Sequence, residues 1–241
     1  MRLSAAIAMF ATVQLCAASA HAGDTAELNI LGFTANGGVF AFEEYGVQDG
    51  SGFPYANRFY IDTATDKFLP GTPIRVRIDD ETATIESARA QARAEGEAFV
   101  AQTELAGNRG LTAGSNPVTE LSADPHRMVV NPRAVIPPID ASLELRLEEF
   151  ALEGPELCEA FGSVMGYRLI RVGAAPGETA ALLHEDASIP ASRNCPLGYR
   201  IGAIQTFYPQ EGDPVFAALI AVRSVGFEGP DHRWVAVPGK L

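Results

Sequence analysis

From Leu28 to Asp62 short apolar runs alternate with turn signals, first Ala35-Asn36-Gly37-Gly38 and then Asp49-Gly50-Ser51-Gly52. The pattern predicts strand, tight turn, strand, long loop, strand. Asn36-Gly37 tolerates the positive φ that a two-residue hairpin requires. The period of two puts Phe40 with Phe42 on one face of the second strand and Val39 with Ala41 on the other. After an apolar stretch from Ile74 to Ile78 the period changes. Ile85, Ala88, Ala92 and Phe99 fall on one stripe with charges opposite, which predicts an amphipathic helix over about residues 80–105. Asp79, Asp80 and Thr82 offer it N-terminal caps, and Glu86–Arg89 and Arg93–Glu97 sit at spacings where opposite charges meet. Gly96 weakens it by about 1 kcal/mol relative to alanine.

Residues 106–141 are interrupted by glycines and prolines and read as coil, with one short strand at Arg127–Val130. Next, Leu143, Leu145 and Leu147 alternate with Glu144, Arg146 and Glu148, the signature of a strand with one dry face. Further strands are expected at Tyr167–Val172, Ala180–Leu183, Tyr199–Tyr208, Val215–Val225 and Arg233–Val237. The run Phe216–Val222 is apolar on both faces and belongs at the centre of a sheet. Two strands open alike, Gly166-Tyr167-Arg168 and Gly198-Tyr199-Arg200, each shortly after a cysteine. The fold class is therefore mainly β: antiparallel, sandwich-like sheets with one amphipathic helix, a small open β-propeller being the alternative. We expect a single β-rich domain over residues 23–241, with a blade-like N-terminal unit at 28–78.

The first residues do not belong to that domain. Arg2 precedes an apolar run from Leu3 to Ala18, and Ala20-His21-Ala22 follows before the chain turns polar, which reads as a secretory signal peptide over residues 1–22, cut after Ala22. No later stretch approaches the roughly 20 apolar residues that span a bilayer, so no membrane span is expected in the mature chain. The protein is expected to be periplasmic or secreted. Removal of Cys16 leaves Cys158 and Cys195, and an even pair in an exported chain argues for one structural disulfide, the alternative being two free thiols. Acidic residues outnumber basic ones 30 to 18, for a net charge of -12, which disfavours nucleic acid as a partner.

Phe33-Thr34-Ala35-Asn36-Gly37-Gly38-Val39-Phe40-Ala41-Phe42, with the later Arg58-Phe59-Tyr60-Ile61-Asp62-Thr63-Ala64-Thr65, resembles one blade motif of the TolB-type β-propellers. The resemblance implies a hairpin followed by a strand running into a turn. Taken with Phe42-Glu43-Glu44-Tyr45-Gly46, the segment Asp49–Asn57, and Gly226-Phe227-Glu228-Gly229-Pro230-Asp231, the chain is similar over most of its length to a bacterial family of predicted secreted proteins of unknown function. That resemblance implies export and carries no assigned activity.

The chain has no Gly-x-Ser-x-Gly elbow, His-Glu-x-x-His, phosphate-binding loop or dinucleotide fingerprint, and no cofactor or metal site is expected from motif. His126, His184 and His232 stand far apart in sequence and are expected to be solvated or bonded locally. Glu43, Glu44 and Asp49 bring three acids to a loop that also holds Phe53 and Tyr55, with Asn57 beyond. Acids with aromatics suit a ligand or partner surface, with Ca²⁺ one possible guest. The plain alternative is a loop whose rings fold onto the core while the acids face water. The expected function is an exported noncatalytic binding or structural protein, taking an unknown protein or small-molecule ligand in the cell envelope. An envelope hydrolase is the alternative. A pocket gathering a histidine with an acid and a serine would separate the two.

Overall fold

The structure is a computed structural model and describes residues 23–174 and 177–241; the proposed signal peptide, its cleavage site and Cys16 lie outside the described residues. Thirteen strands are found in three antiparallel sheets among these residues. The first sheet is built from β1 (Glu27–Phe33), β2 (Val39–Val47) and β3 (Pro54–Asp62), with β4 (Lys67–Phe68) and β5 (Ile74–Arg77) both on the far edge of β3. Two helices follow, α1 (Ile85–Gly96) and α2 (Gln102–Gly107). The remaining strands are β6 (Leu111–Ser115), β7 (Arg127–Val130), β8 (Leu143–Leu152), β9 (Val164–Val172), β10 (Ala181–Glu185), β11 (Pro196–Phe207), β12 (Val215–Ser224) and β13 (Asp231–Lys240). They form a central sheet in the order β13-β12-β11-β6 and an outer sheet in the order β10-β9-β8-β7.

The stacking follows from β12. Its residues Phe216, Ala218, Ile220 and Val222 pack against Leu143, Leu145, Leu147 and Leu169 of the outer sheet. Its other face, with Ala217, Leu219 and Ala221, packs against Ile30, Phe33, Phe40, Phe42, Phe59 and Ile61 of the first sheet. A strand that is apolar on both faces is thus the middle of a three-sheet stack. The reverse face of the first sheet, with Ala41, Ala56, Tyr60, Ile74 and Val76, is covered by Ala88 and Ala92 of α1 and Leu105 of α2. Because helices cap that face, the stack ends there and the described sheets form a sandwich-like pile.

Several local expectations change. The β1–β2 connection is a four-residue loop: Thr34 and Val39 still exchange a backbone hydrogen bond, Gly37 alone of the loop takes positive φ (73°), and the Asn36 side chain accepts from Gly38 N. The predicted single helix is two, since the chain turns after Gly96 before α2 begins. Its cap is Thr84, whose hydroxyl accepts from Ser87 N, and not Asp79, Asp80 or Thr82. Gly96 is needed more than it is tolerated. A Cβ there would lie 2.2 Å from Tyr60 Oη, so the missing side chain lets α1 sit close on β3. Strand β6 lies in the stretch read as coil; its sequence Leu-Thr-Ala-Gly-Ser shows no apolar alternation, and backbone pairing to the edge of β11 holds it.

Cys158 and Cys195 form the disulfide, with Cα atoms 5.5 Å apart, and bury themselves with Val164 and Ile189. The bond ties the 3-10 turn Glu156–Phe161 to the start of β11. The two similar strand openings meet across the layers, with the rings of Tyr167 and Tyr199 4.6 Å apart.

Candidate functional site

Strand alternation decides where the predicted site residues go. Glu43 and Glu44 are adjacent on β2, so they project to opposite faces of the first sheet, and both are buried, at 0% and 2% exposure. They do not form the acidic rim expected of them. Glu43 faces the helices, where Arg58 Nε donates to one carboxylate oxygen at 3.3 Å and Arg89 Nη2 and Asn29 Nδ2 donate to the other at 2.8 and 3.1 Å. Arg58 in turn donates to Gln102 Oε1 at 2.8 Å. This network joins the sheet to α1 and α2, and it claims Arg89, which the sequence had paired with Glu86.

Glu44 faces the central sheet. Its partner in register on β3 is Asn57, and the partner of Asn57 on β5 is Arg75, so the three side chains form one row across the sheet. Asn57 Nδ2 donates to Glu44 Oε1 at 2.9 Å, and the backbone N–H of Trp234 donates to Oε2 at 2.8 Å. The second bond satisfies an N–H on β13, an edge strand that beyond its β12 side is bridged only at His232, by Thr25, among the described residues. Burial, the largest influence, pushes the Glu44 carboxyl above the ordinary glutamate range; these two bonds and the more distant Arg233 and Arg75 offset it only in part.

The row forms one wall of a cavity of about 210 Å³, completed by Phe59, Trp234 and Arg193. Asn57, Arg75 and Arg233 also line an adjoining cleft of about 310 Å³, where Tyr55 stands. Arg233 is held by Asp24, with Nη2 2.6 Å from Oδ2, and lies over the Tyr55 ring at 4.9 Å. Tyr55 Oη donates to Asp24 Oδ1 at 3.0 Å, and burial raises the phenol's pKa. Arg75 has no ion pair among the described residues and only the Phe59 ring beneath it, at 5.6 Å. The remaining predicted residues hold the loop: Asp49 Oδ2 accepts from Glu228 N at 2.8 Å, and Phe53 lies under Arg77 at 5.9 Å. Glu44, Tyr55 and Asn57 are therefore brought to one place, while Glu43, Asp49 and Phe53 are not. Arg75 was legible in Ile74-Arg75-Val76-Arg77, where alternation puts both arginines on the face opposite the core; Trp234 and Arg233 carried no such signal.

The histidines differ: His184 is bonded across layers, His126 keeps a side chain 42% exposed, and His232 is half-buried. His184 lies between Asp66 of the β3–β4 turn, at 3.3 Å, and Asp186, at 3.1 Å, and so links the first sheet to the outer one. Burial lowers its pKa, but the bonds and charges of the two aspartates outweigh burial and raise it to about 9. Asp186 also receives Arg193, which closes the first cavity. On the other side of β13 a second cavity, of about 600 Å³, gathers His126, His232 and Glu149 with Arg200 and Arg223. Glu149 accepts from Tyr199 N, and His126 Nε2 lies 3.2 Å from Tyr199 O and so acts as its donor, so both serve the free edge of β11. The wall of this cavity contains no serine or cysteine. Among the described residues no three histidine, cysteine, aspartate or glutamate side chains gather to hold a metal ion, and Glu43, Glu44 and Asp49 in particular diverge.

No helix among the described residues is long and apolar enough to cross a membrane. No curated protein and no solved structure matches the chain. Residues 41–240 match the family described as predicted secreted protein (DUF2259), a span that takes in the lining of both cavities except Thr25 and leaves out Asp24 and β1. The chain belongs to this family of predicted secreted proteins, whose function is unknown.

Proposed function

We propose that the protein is an exported, noncatalytic binding protein and that its ligand is a small polar molecule seated over Glu44, Asn57 and Arg75. The observation that carries this reading is the row itself. A buried carboxylate stands two strands from a guanidinium, neither with an ion pair among the described residues, and the wall of a cavity joins them. Folding stability alone does not call for such a row, since burying a carboxylate without a counter-charge costs free energy. Perturbed ionisable groups in a cleft are where ligand recognition is commonly found. The carboxylate and amide supply acceptors and a donor, Arg75 supplies a charge, and Phe59 and Trp234 supply flat apolar walls. The alternative of an envelope hydrolase asks for a nucleophile beside a base, and the histidine-lined cavity offers a base without serine or cysteine.

Native mass spectrometry of protein released gently from its own envelope tests this. The expected result is a small-molecule adduct that is lost from Asn57→Ala/Arg75→Ala and retained in Arg77→Ala. An adduct equally abundant in the first variant, or a bare polypeptide mass under all release conditions, overturns the assignment.

A further inference from the structure

The second cavity stands apart from the first and has its own chemistry. Its floor is the row Gly198–Arg223–His232, in register across β11, β12 and β13, with Arg200 beside Ala221 one step along. Neither Arg200 nor Arg223 has an ion-pair partner among the described residues. Arg200 spends its outer nitrogens on Asn116 Oδ1, Val118 O and Glu120 O, fixing the loop above. Arg223 makes one long contact, 3.4 Å, to Leu197 O. Two guanidiniums thus share one concavity with no ion pair to either among the described residues, in a chain whose net charge is -12.

Unspent hydrogen-bonding capacity is found at the same place. Four buried side-chain polar atoms lack a partner among the described residues, and two of them, Arg200 Nε and His232 Nδ1, belong to residues of this wall. Buried polar atoms are nearly always satisfied, so an orphan asks for an explanation. The imidazole of His232 also pays for its surroundings: burial first, then the charges of Arg223 and Arg200, lower its pKa, with Asp231 opposing them and Arg233 adding to them. An anion at this place would partner the orphaned nitrogens and relieve the mutual repulsion of the cations.

The facing wall is different. Glu149 keeps a carboxylate oxygen toward His126 at 3.5 Å while the other accepts from Tyr199 N. An acceptor here repels a purely anionic guest and suits hydroxyl or amine donors.

We propose that this cavity binds a small organic oxyanion, with its phosphate or carboxylate group at Arg200, Arg223 and His232 and a hydroxyl-bearing body toward Glu149. A volume of about 600 Å³ is in the range of small-molecule sites, and the chain's net charge of -12 disfavours nucleic acid as the source of the phosphate. The site is independent of the first cavity, since no lining residue is shared.

The test is an NMR titration of the histidine ring signals of the purified mature protein with inorganic phosphate, acetate and glycerol phosphate. The expected result is a saturable shift of the His232 signals, a rise in its titration midpoint when the probe is bound, and tighter binding of glycerol phosphate than of inorganic phosphate. Arg223→Ala should weaken binding about tenfold, the loss expected for a charged hydrogen bond, while Lys240→Ala, at an exposed position outside both cavities, leaves it unchanged. Preference for acetate over phosphate identifies a carboxylate ligand, and the reverse a phosphate ester. No saturable shift up to roughly 10 mM of any probe, or undiminished binding in Arg223→Ala, overturns the proposal.

Discussion

Glu43 and Glu44 are neighbours on one strand, equally hidden from solvent, and they meet opposite surroundings. On the helix side Glu43 is held by two arginines and an asparagine, so a buried charge is answered by opposite charge and the assembly fastens two layers. On the cavity side Glu44 is held by an amide and a backbone N–H, and its nearest cations stop short of contact. Burial alone therefore does not mark a functional acid. What separates the two is whether the protein supplies the counter-charge itself or leaves it to be supplied.

That contrast can be broken at its strongest point by replacing Glu43 with alanine. Arg58, 1% exposed, would be left without its carboxylate, and breaking a buried pair by removing one partner costs about 3–5 kcal/mol. Chemical denaturation should show a loss of that size, and a loss below about 1 kcal/mol would mean that water replaces the pair. Next in size is the disulfide, which anchors β11 just beyond Ser192, Arg193 and Asn194 of the cavity wall. Cys158→Ser/Cys195→Ser opens a loop of 37 residues and should lower stability by about 3–4 kcal/mol. If the cavity side depends on walls borrowed from other layers, that variant should also expose the Trp234 ring to a fluorescence quencher before the helix side melts.

The salt-bridged His184 gives a pH-dependent test of the cavity's closing residues. Its pKa is raised from 6.5 to about 9 in the folded chain, so its contribution is complete below about 6.5 and is lost as pH rises through about 9. Wild-type stability should therefore fall by up to about 3 kcal/mol across that window, and His184→Asn should flatten the profile. The smallest effect is expected at Glu44. Glu44→Gln keeps an acceptor for Trp234 N while the Asn57 amide turns over, and stability at pH 7 should change by no more than about 1 kcal/mol. Because the folded-state pKa lies above the unfolded one, wild-type stability declines as pH rises from the ordinary glutamate range through that raised value, and the variant should lose this slope. A variant that loses several kcal/mol would place Glu44 with Glu43 as a structural acid.

Much of the framework was legible because burial leaves a period in the sequence. The alternation at Leu143–Leu147, the doubly apolar Phe216–Val222 and the opposed faces of Phe40 and Ala41 all reappear in the packing. The even cysteine pair was equally plain. β6 was not, because it is held by backbone pairing with β11 and its side chains show no pattern. At the site, the sequence gathered acids that are neighbours along the chain, whereas the sheet gathers residues that are neighbours across it. Glu44 and Asn57 belong to both sets; alternation gives the face on which Arg75 stands, but its place beside Asn57, like that of Trp234 beside Glu44, depends on register and layer stacking, which a single strand does not encode.

The strand that joins the three sheets carries a further consequence, for the time before they exist. Val215-Phe216-Ala217-Ala218-Leu219-Ile220-Ala221-Val222 contains no charge and no proline, the composition of a segment that self-associates when left uncovered. In chain order β12 follows every strand of the first and outer sheets and precedes β13. The strands of the first sheet all lie within residues 27–77, and β11 precedes β12 and pairs one of its edges, so the edge that waits is the one β13 takes. Arg223 sets a charge directly after this apolar run, the flanking position that disfavours self-association, and it also lines the second cavity.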